Sequence, residues 1–142
     1  MTAIDACEPQ IIRALEKDGW QIFKKPHRIR LRRRSIYADF SARLVNEDGE
    51  FYIIVLEVKC LSNPKTDLEE IYAALGQYQI YRASMDSIGE TYPLFLAMPN
   101  EAYQRLALEP SIMLALDKGD VKLVIVDMVE EVVVLWERWP KS

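Results

Sequence analysis

The stretch FYIIVLEVKC, residues 51–60, constrains this chain most. Phe51 to Leu56 form an unbroken apolar run, which reads as the heart of a buried strand. Glu57 and Lys59 then interrupt it, two positions apart. Strand side chains alternate between faces, so these two point to the same side. Burial alone does not select a carboxylate and an ammonium there.

A partner strand is readable just upstream. In IYADFSARLV, Ala38, Phe40, Ala42 and Leu44 alternate with their neighbours, and NEDGE (46–50) supplies a turn. With Asn46 opposite Glu50, those four residues face Val58, Leu56, Ile54 and Tyr52, an apolar match at every step. The other face then pairs Tyr37 with Lys59 and Asp39 with Glu57. Directly opposed carboxylates have Cβ atoms about 4.5–5.5 Å apart and repel. Either one is protonated, or a hard cation such as Mg²⁺ or Mn²⁺ bridges them. The bland alternative is a structural ion cluster at a frayed sheet end.

The remaining pattern alternates helix and strand. EPQIIRALEKDGW predicts a helix with Pro9 in its first turn and Gly19 as its stop. WQIFK predicts a short strand ended by Pro26. HRIRLRRR alternates His27, Ile29 and Leu31 against Arg28, Arg30, Arg32 and Arg34, with Arg33 breaking the pattern. Leu68, Ile71, Leu75 and Tyr78 mark a long helix that Thr66 or Asp67 can cap. YPLFLAM predicts a buried strand, NEAYQRLAL and EPSIMLALDKGD two short helices, and VKLVIVD and EVVVLWERW two closing strands. No repeat or linker divides the 142 residues, so we expect one domain, 1–142, of α/β class: a mixed β-sheet flanked by helices.

No apolar run reaches the roughly 18–20 residues of a membrane span. MTAIDACEPQ has neither a basic nor an apolar leader region, so a cytoplasmic location is expected. Cys7 and Cys60 lack metal-type spacing and read as reduced, partly buried thiols. His27, the single histidine, shares a face with Ile29 and Leu31 and reads as structural. The net charge is −4, yet residues 24–34 carry seven Lys/Arg and no acid. The four alternating arginines can grip phosphates, or can serve as a charged edge that blocks aggregation. Asp127 reads as a turn-former. Trp136 and Trp139 read as core or as a partner-facing pair.

Asp39 followed by Glu57-Val58-Lys59 resembles the signature of the PD-(D/E)xK phosphodiesterase superfamily. Gln77 and Tyr81, in GQYQIY, resemble the Gln-x-x-x-Tyr motif of its RecB-like branch; a spacing of four puts both on one helix face. Over nearly the whole chain, ALEKDGW, ADFSARL, VLEVKC, AALGQYQIYR, YPLFLAMPNEAY and LVIVD resemble the XisH family, the fdxN element excision controlling factors of cyanobacteria. This resemblance implies a restriction-endonuclease-like core associated with programmed DNA excision, alongside a companion called XisI. It also places Glu8 where the family has a first-helix histidine. In related nucleases a glutamate there can join the metal site; otherwise Glu8 is a helix-start acid complementing the dipole.

The expected function is a Mg²⁺- or Mn²⁺-dependent DNA endonuclease. Asp39 and Glu57, with Glu8, hold the metal. Lys59 supports the attacking water or the charged intermediate. Gln77 and Tyr81 assist, and Arg28, Arg30, Arg32 and Arg34 contact DNA. The alternative is an inactive endonuclease-fold accessory protein that binds XisI or a recombinase. A homodimer is a further expected assembly.

Overall fold

The structure, a computed structural model, describes residues 6–138. Its elements are helix α1 (Glu8–Lys17), strands β1 (Gln21–Lys24), β2 (His27–Arg30), β3 (Ser35–Ala38), β4 (Phe40–Val45) and β5 (Phe51–Val58), helix α2 (Asp67–Ser87), strand β6 (Leu94–Pro99), helices α3 (Asn100–Leu106) and α4 (Pro110–Lys118), and strands β7 (Lys122–Asp127) and β8 (Val132–Glu137). Six strands form one mixed sheet in the order β1-β4-β5-β6-β7-β8. Neighbours β5, β6 and β7 run parallel, and the outer pairs are antiparallel. The α/β class and the mixed, helix-flanked sheet are as expected. Strands β2 and β3 form a separate two-stranded ribbon.

The sheet is covered on both faces. On one, α1 sets Ile11, Ala14 and Leu15 against Phe40, Ala42, Ile54, Leu56, Val58 and Phe95. Pro9 starts this helix, and Gly19, at φ +95°, ends it in a conformation that only glycine adopts without strain. Fully burying a side chain such as Leu15 contributes about 1.5–3 kcal/mol. On the other face, α2, α3, α4 and the β2–β3 ribbon pack on Val55, Leu94, Leu96, Met98, Leu123 and Ile125. Strand β5 is therefore sealed on both sides from Ile54 to Val58. That explains the apolar residues Ile54 to Leu56; Phe51 and Tyr52, at the start of the run, are exposed rather than buried.

The hairpin register is the expected one: Phe40 pairs with Leu56, Ala42 with Ile54 and Leu44 with Tyr52. It ends sooner than alternation implies. The chain bends at Asp39, so IYADFSARLV is two strands rather than one. Ala38 pairs with His27 and Tyr37 with Arg28, instead of with Val58 and Lys59. The alternating pattern survives the break because Ala38 enters the second core while Phe40 enters the first.

Three further expectations are amended, and at Trp136 the core alternative holds. Arg28 and Arg30 lie exposed on β2, but Arg32 and Arg34 sit in the connection to β3, closed by a bond from the Leu31 amide to the Arg34 carbonyl. Leu68 is exposed, and the buried stripe of α2 is Ile71, Ala74, Tyr78 and Met85. Trp136 turns inward onto Trp20 and Phe95, at 5.8 and 5.2 Å between ring centroids. Trp139 lies outside the described residues. The cysteines are not separate thiols: Cys7 and Cys60 form a disulfide. Cys7 immediately precedes α1 and Cys60 lies just past β5, and their Cα atoms are 5.7 Å apart, within bridging reach.

His27 is buried, as expected, with its Nε2 2.6 Å from Glu90 Oε1. Asp127 shapes its turn by accepting hydrogen bonds from the Val129 and Glu130 amides. No described helix is long and apolar enough to cross a membrane.

Candidate active site

In open α/β sheets, ligand sites form beyond the carboxyl ends of the parallel strands. Strand β5 delivers Glu57 and Lys59 to that end. The Lys59 amide extends the β5–β6 ladder by bonding to the Ala97 carbonyl, so its backbone is fixed although its side chain is half-exposed. Asp39 arrives from the other direction, at the bend between the ribbon and the sheet.

The two acids do meet, though not as an ordinary cross-strand pair. The Asp39 amide donates to Glu57 Oε1 at 2.9 Å, and the Val58 amide donates to Asp39 Oδ2 at 2.7 Å. Each carboxylate thus takes a backbone N–H from the opposite strand and continues the ladder past its last pair. These charge-assisted bonds, worth about 1.5–3 kcal/mol each, offset part of the repulsion. Two ammonium groups offset more. Lys59 Nζ lies 4.0 Å from Glu57 Oε2, and both Lys59 and Lys25 act on Asp39 electrostatically. Burial nevertheless dominates at Asp39 and pushes its carboxyl above the ordinary value, against the Val58 amide and the two lysines. Glu57 is almost wholly buried.

Gln77 and Tyr81 form a relay. Gln77 Nε2 donates to Tyr81 Oη at 2.9 Å, and that hydroxyl donates to the Tyr37 carbonyl at 3.1 Å. Tyr37 lies two residues before Asp39, so the pair clamps the ribbon that carries the acid. Burial raises the Tyr81 hydroxyl's pKa, the Gln77 bond opposes this, and the charges of Glu57 and Asp39 add to the rise. Tyr81 therefore sits in the field of both carboxylates. This makes Gln77 and Tyr81 positioning residues.

Glu8 is buried at the start of α1, with its Oε1 3.3 Å from Lys25 Nζ. Among the described residues, no three His, Cys, Asp or Glu side chains gather as a metal-holding group. Glu8 is thus not brought into one ligand set with Asp39 and Glu57. Two carboxylates still suit Mg²⁺, which keeps several waters and commonly takes one or two carboxylates plus substrate phosphates. They do not suit Zn²⁺.

Sequence reasoning missed two participants. Lys25 links Glu8 to the field around Asp39; its only signal was a place in the basic run 24–34. The disulfide joins the residue before Glu8 to the residue after Lys59. That adjacency was visible, but nothing in the spacing of 53 positions announced contact.

The profile of the family described as XisH protein matches residues 1–134. The chain belongs to the XisH family. Two solved structures extend the match. An fdxN element excision controlling factor from Anabaena variabilis superposes with TM-score 0.80 at 26% identity, covering 92% of this chain and 96% of that one. An XisH family protein from Nostoc punctiforme superposes with TM-score 0.81 at 28% identity, covering 94% of this chain and 99% of that one. No curated protein matches the chain.

Proposed function

We propose that this XisH-family chain is a DNA phosphodiesterase of PD-(D/E)xK type with a restriction-endonuclease-like core, acting in programmed excision of a DNA element. The reading rests above all on the lock in which Glu57 accepts the Asp39 amide and Asp39 accepts the Val58 amide, with Lys59 beside Glu57. A fold that needed only stability would not bury two carboxylates side by side at a sheet end. The excision context follows the Anabaena variabilis relative.

Asp39 and Glu57 would hold Mg²⁺ or Mn²⁺, which when bound supplies charge to polarise a phosphoryl oxygen and activate water. The chain's own part is positional and electrostatic. Lys59 directs an ammonium at the region where negative charge builds on the phosphate during displacement. The Gln77–Tyr81 relay fixes the approach of Asp39. Arg28 and Arg30 on the ribbon, with Arg32 and Arg34 on its turn, neutralise flanking phosphates.

Incubation with supercoiled, branched and single-stranded DNA plus Mn²⁺ should give cuts that Asp39→Asn and Lys59→Met each abolish. Absence of cutting on every substrate, with a companion protein present, would overturn the reading.

Two observations favour a second reading. No third acid joins the pair among the described residues, and each carboxylate already accepts a backbone amide. On this reading the chain is an inactive endonuclease-fold accessory protein that binds an XisI-like companion or a recombinase. Calorimetric titration with Mn²⁺ separates the two: heat that Asp39→Asn removes supports the enzyme, and no heat supports the accessory.

A further inference from the structure

The helical cover of β5 stops at Val55. Beyond it on the same face, Ile53 is half-buried and Phe51 is 58% exposed. Around Phe51 the antiparallel strands β1 and β4 place Phe23, at 39% exposure, and Arg43. The Arg43 guanidinium lies 5.6 Å from the Phe23 ring centre and 5.3 Å from that of Phe51. Lys24 Nζ lies 5.3 Å from the Phe23 ring. An arginine held between two partly exposed phenyl rings, with a second cation beside them, covers no core. Solubility alone would not place two phenyl groups there.

We infer that the Phe23–Arg43–Phe51 cluster is a stacking platform for unpaired nucleotides of a DNA strand. This deepens the nuclease reading and rests on it for the identity of the strand. Two features favour DNA over a protein partner. The cluster and the adjacent Lys24 bring together two cations and no acid. Aromatic faces combined with arginine and lysine match what unpaired bases and their phosphates require.

Fluorescence anisotropy in EDTA tests this without cleavage, using a labelled single-stranded oligonucleotide and its duplex. Phe23→Ala/Phe51→Ala should weaken single-strand binding about tenfold or more and leave duplex binding within about twofold, with Phe51→Tyr close to wild type. Unchanged single-strand affinity in the double variant would overturn the platform, as would an equal loss for both DNA forms. If self-association on size exclusion disappears while DNA binding stays constant, the patch is a protein contact and the proposal falls. A parallel Mn²⁺ cutting assay separates the two ideas. Cutting that needs Asp39 but ignores the phenyl groups refutes the platform alone. Selective single-strand binding without any cutting refutes the nuclease alone.

Discussion

Replacing Asp39 by asparagine and by alanine should have opposite effects on stability. The Asp39 side chain does two separable things: it accepts the Val58 amide at 2.7 Å, and it carries a charge that burial disfavours. Asparagine keeps an acceptor and removes the charge. Alanine removes both and strands an N–H in a strand whose Val58 is fully buried. An unsatisfied buried donor costs about 1–3 kcal/mol, which for a chain of this length lowers Tm by about 3–10 °C. The pH dependence has a definite sign. The folded-state pKa of Asp39 is raised, so its contribution to stability is fully present below the unfolded value and is lost as pH rises through the folded one. The Asp39→Asn variant should therefore gain on wild type from acid toward neutral pH. Calorimetric scans in EDTA between pH 4 and 8 measure both effects. If asparagine destabilises as much as alanine, or its advantage grows toward acid, the acceptor-plus-buried-charge account is wrong.

Other consequences follow from the same structure. Reducing the Cys7–Cys60 disulfide releases a loop of 53 residues' separation, and the chain-entropy relation puts the loss at about 4 kcal/mol; urea titration with and without reductant should show the midpoint fall. Tyr81→Phe breaks the bond to the Tyr37 carbonyl and should cost about 0.5–1.5 kcal/mol while slowing cutting, without altering DNA affinity in EDTA. Glu90→Ala leaves buried His27 without its carboxylate, so a loss of about 1–3 kcal/mol is expected by thermal denaturation. Mn²⁺ at ten times its Kd should stabilise wild type by about 1.4 kcal/mol and Asp39→Asn hardly at all, as read by thermal shift.

The sequence by itself determined the elements whose patterns are local. A period of two fixed the register of β4 on β5, because a one-residue slip would turn Phe40 and Leu56 out of the core. Proline and glycine fixed the ends of α1. From the same register came the nearness of Asp39 and Glu57. The bend at Asp39 was invisible, since alternation continues through it into a second core, and only packing on both faces shows where one strand becomes two. Likewise, only the tertiary structure decided that Glu57 takes the Asp39 amide and Asp39 the Val58 amide, that Tyr81 clamps Tyr37, and that Cys7 meets Cys60. Periodicity reports which face a side chain takes. It carries no information about which distant residue waits there.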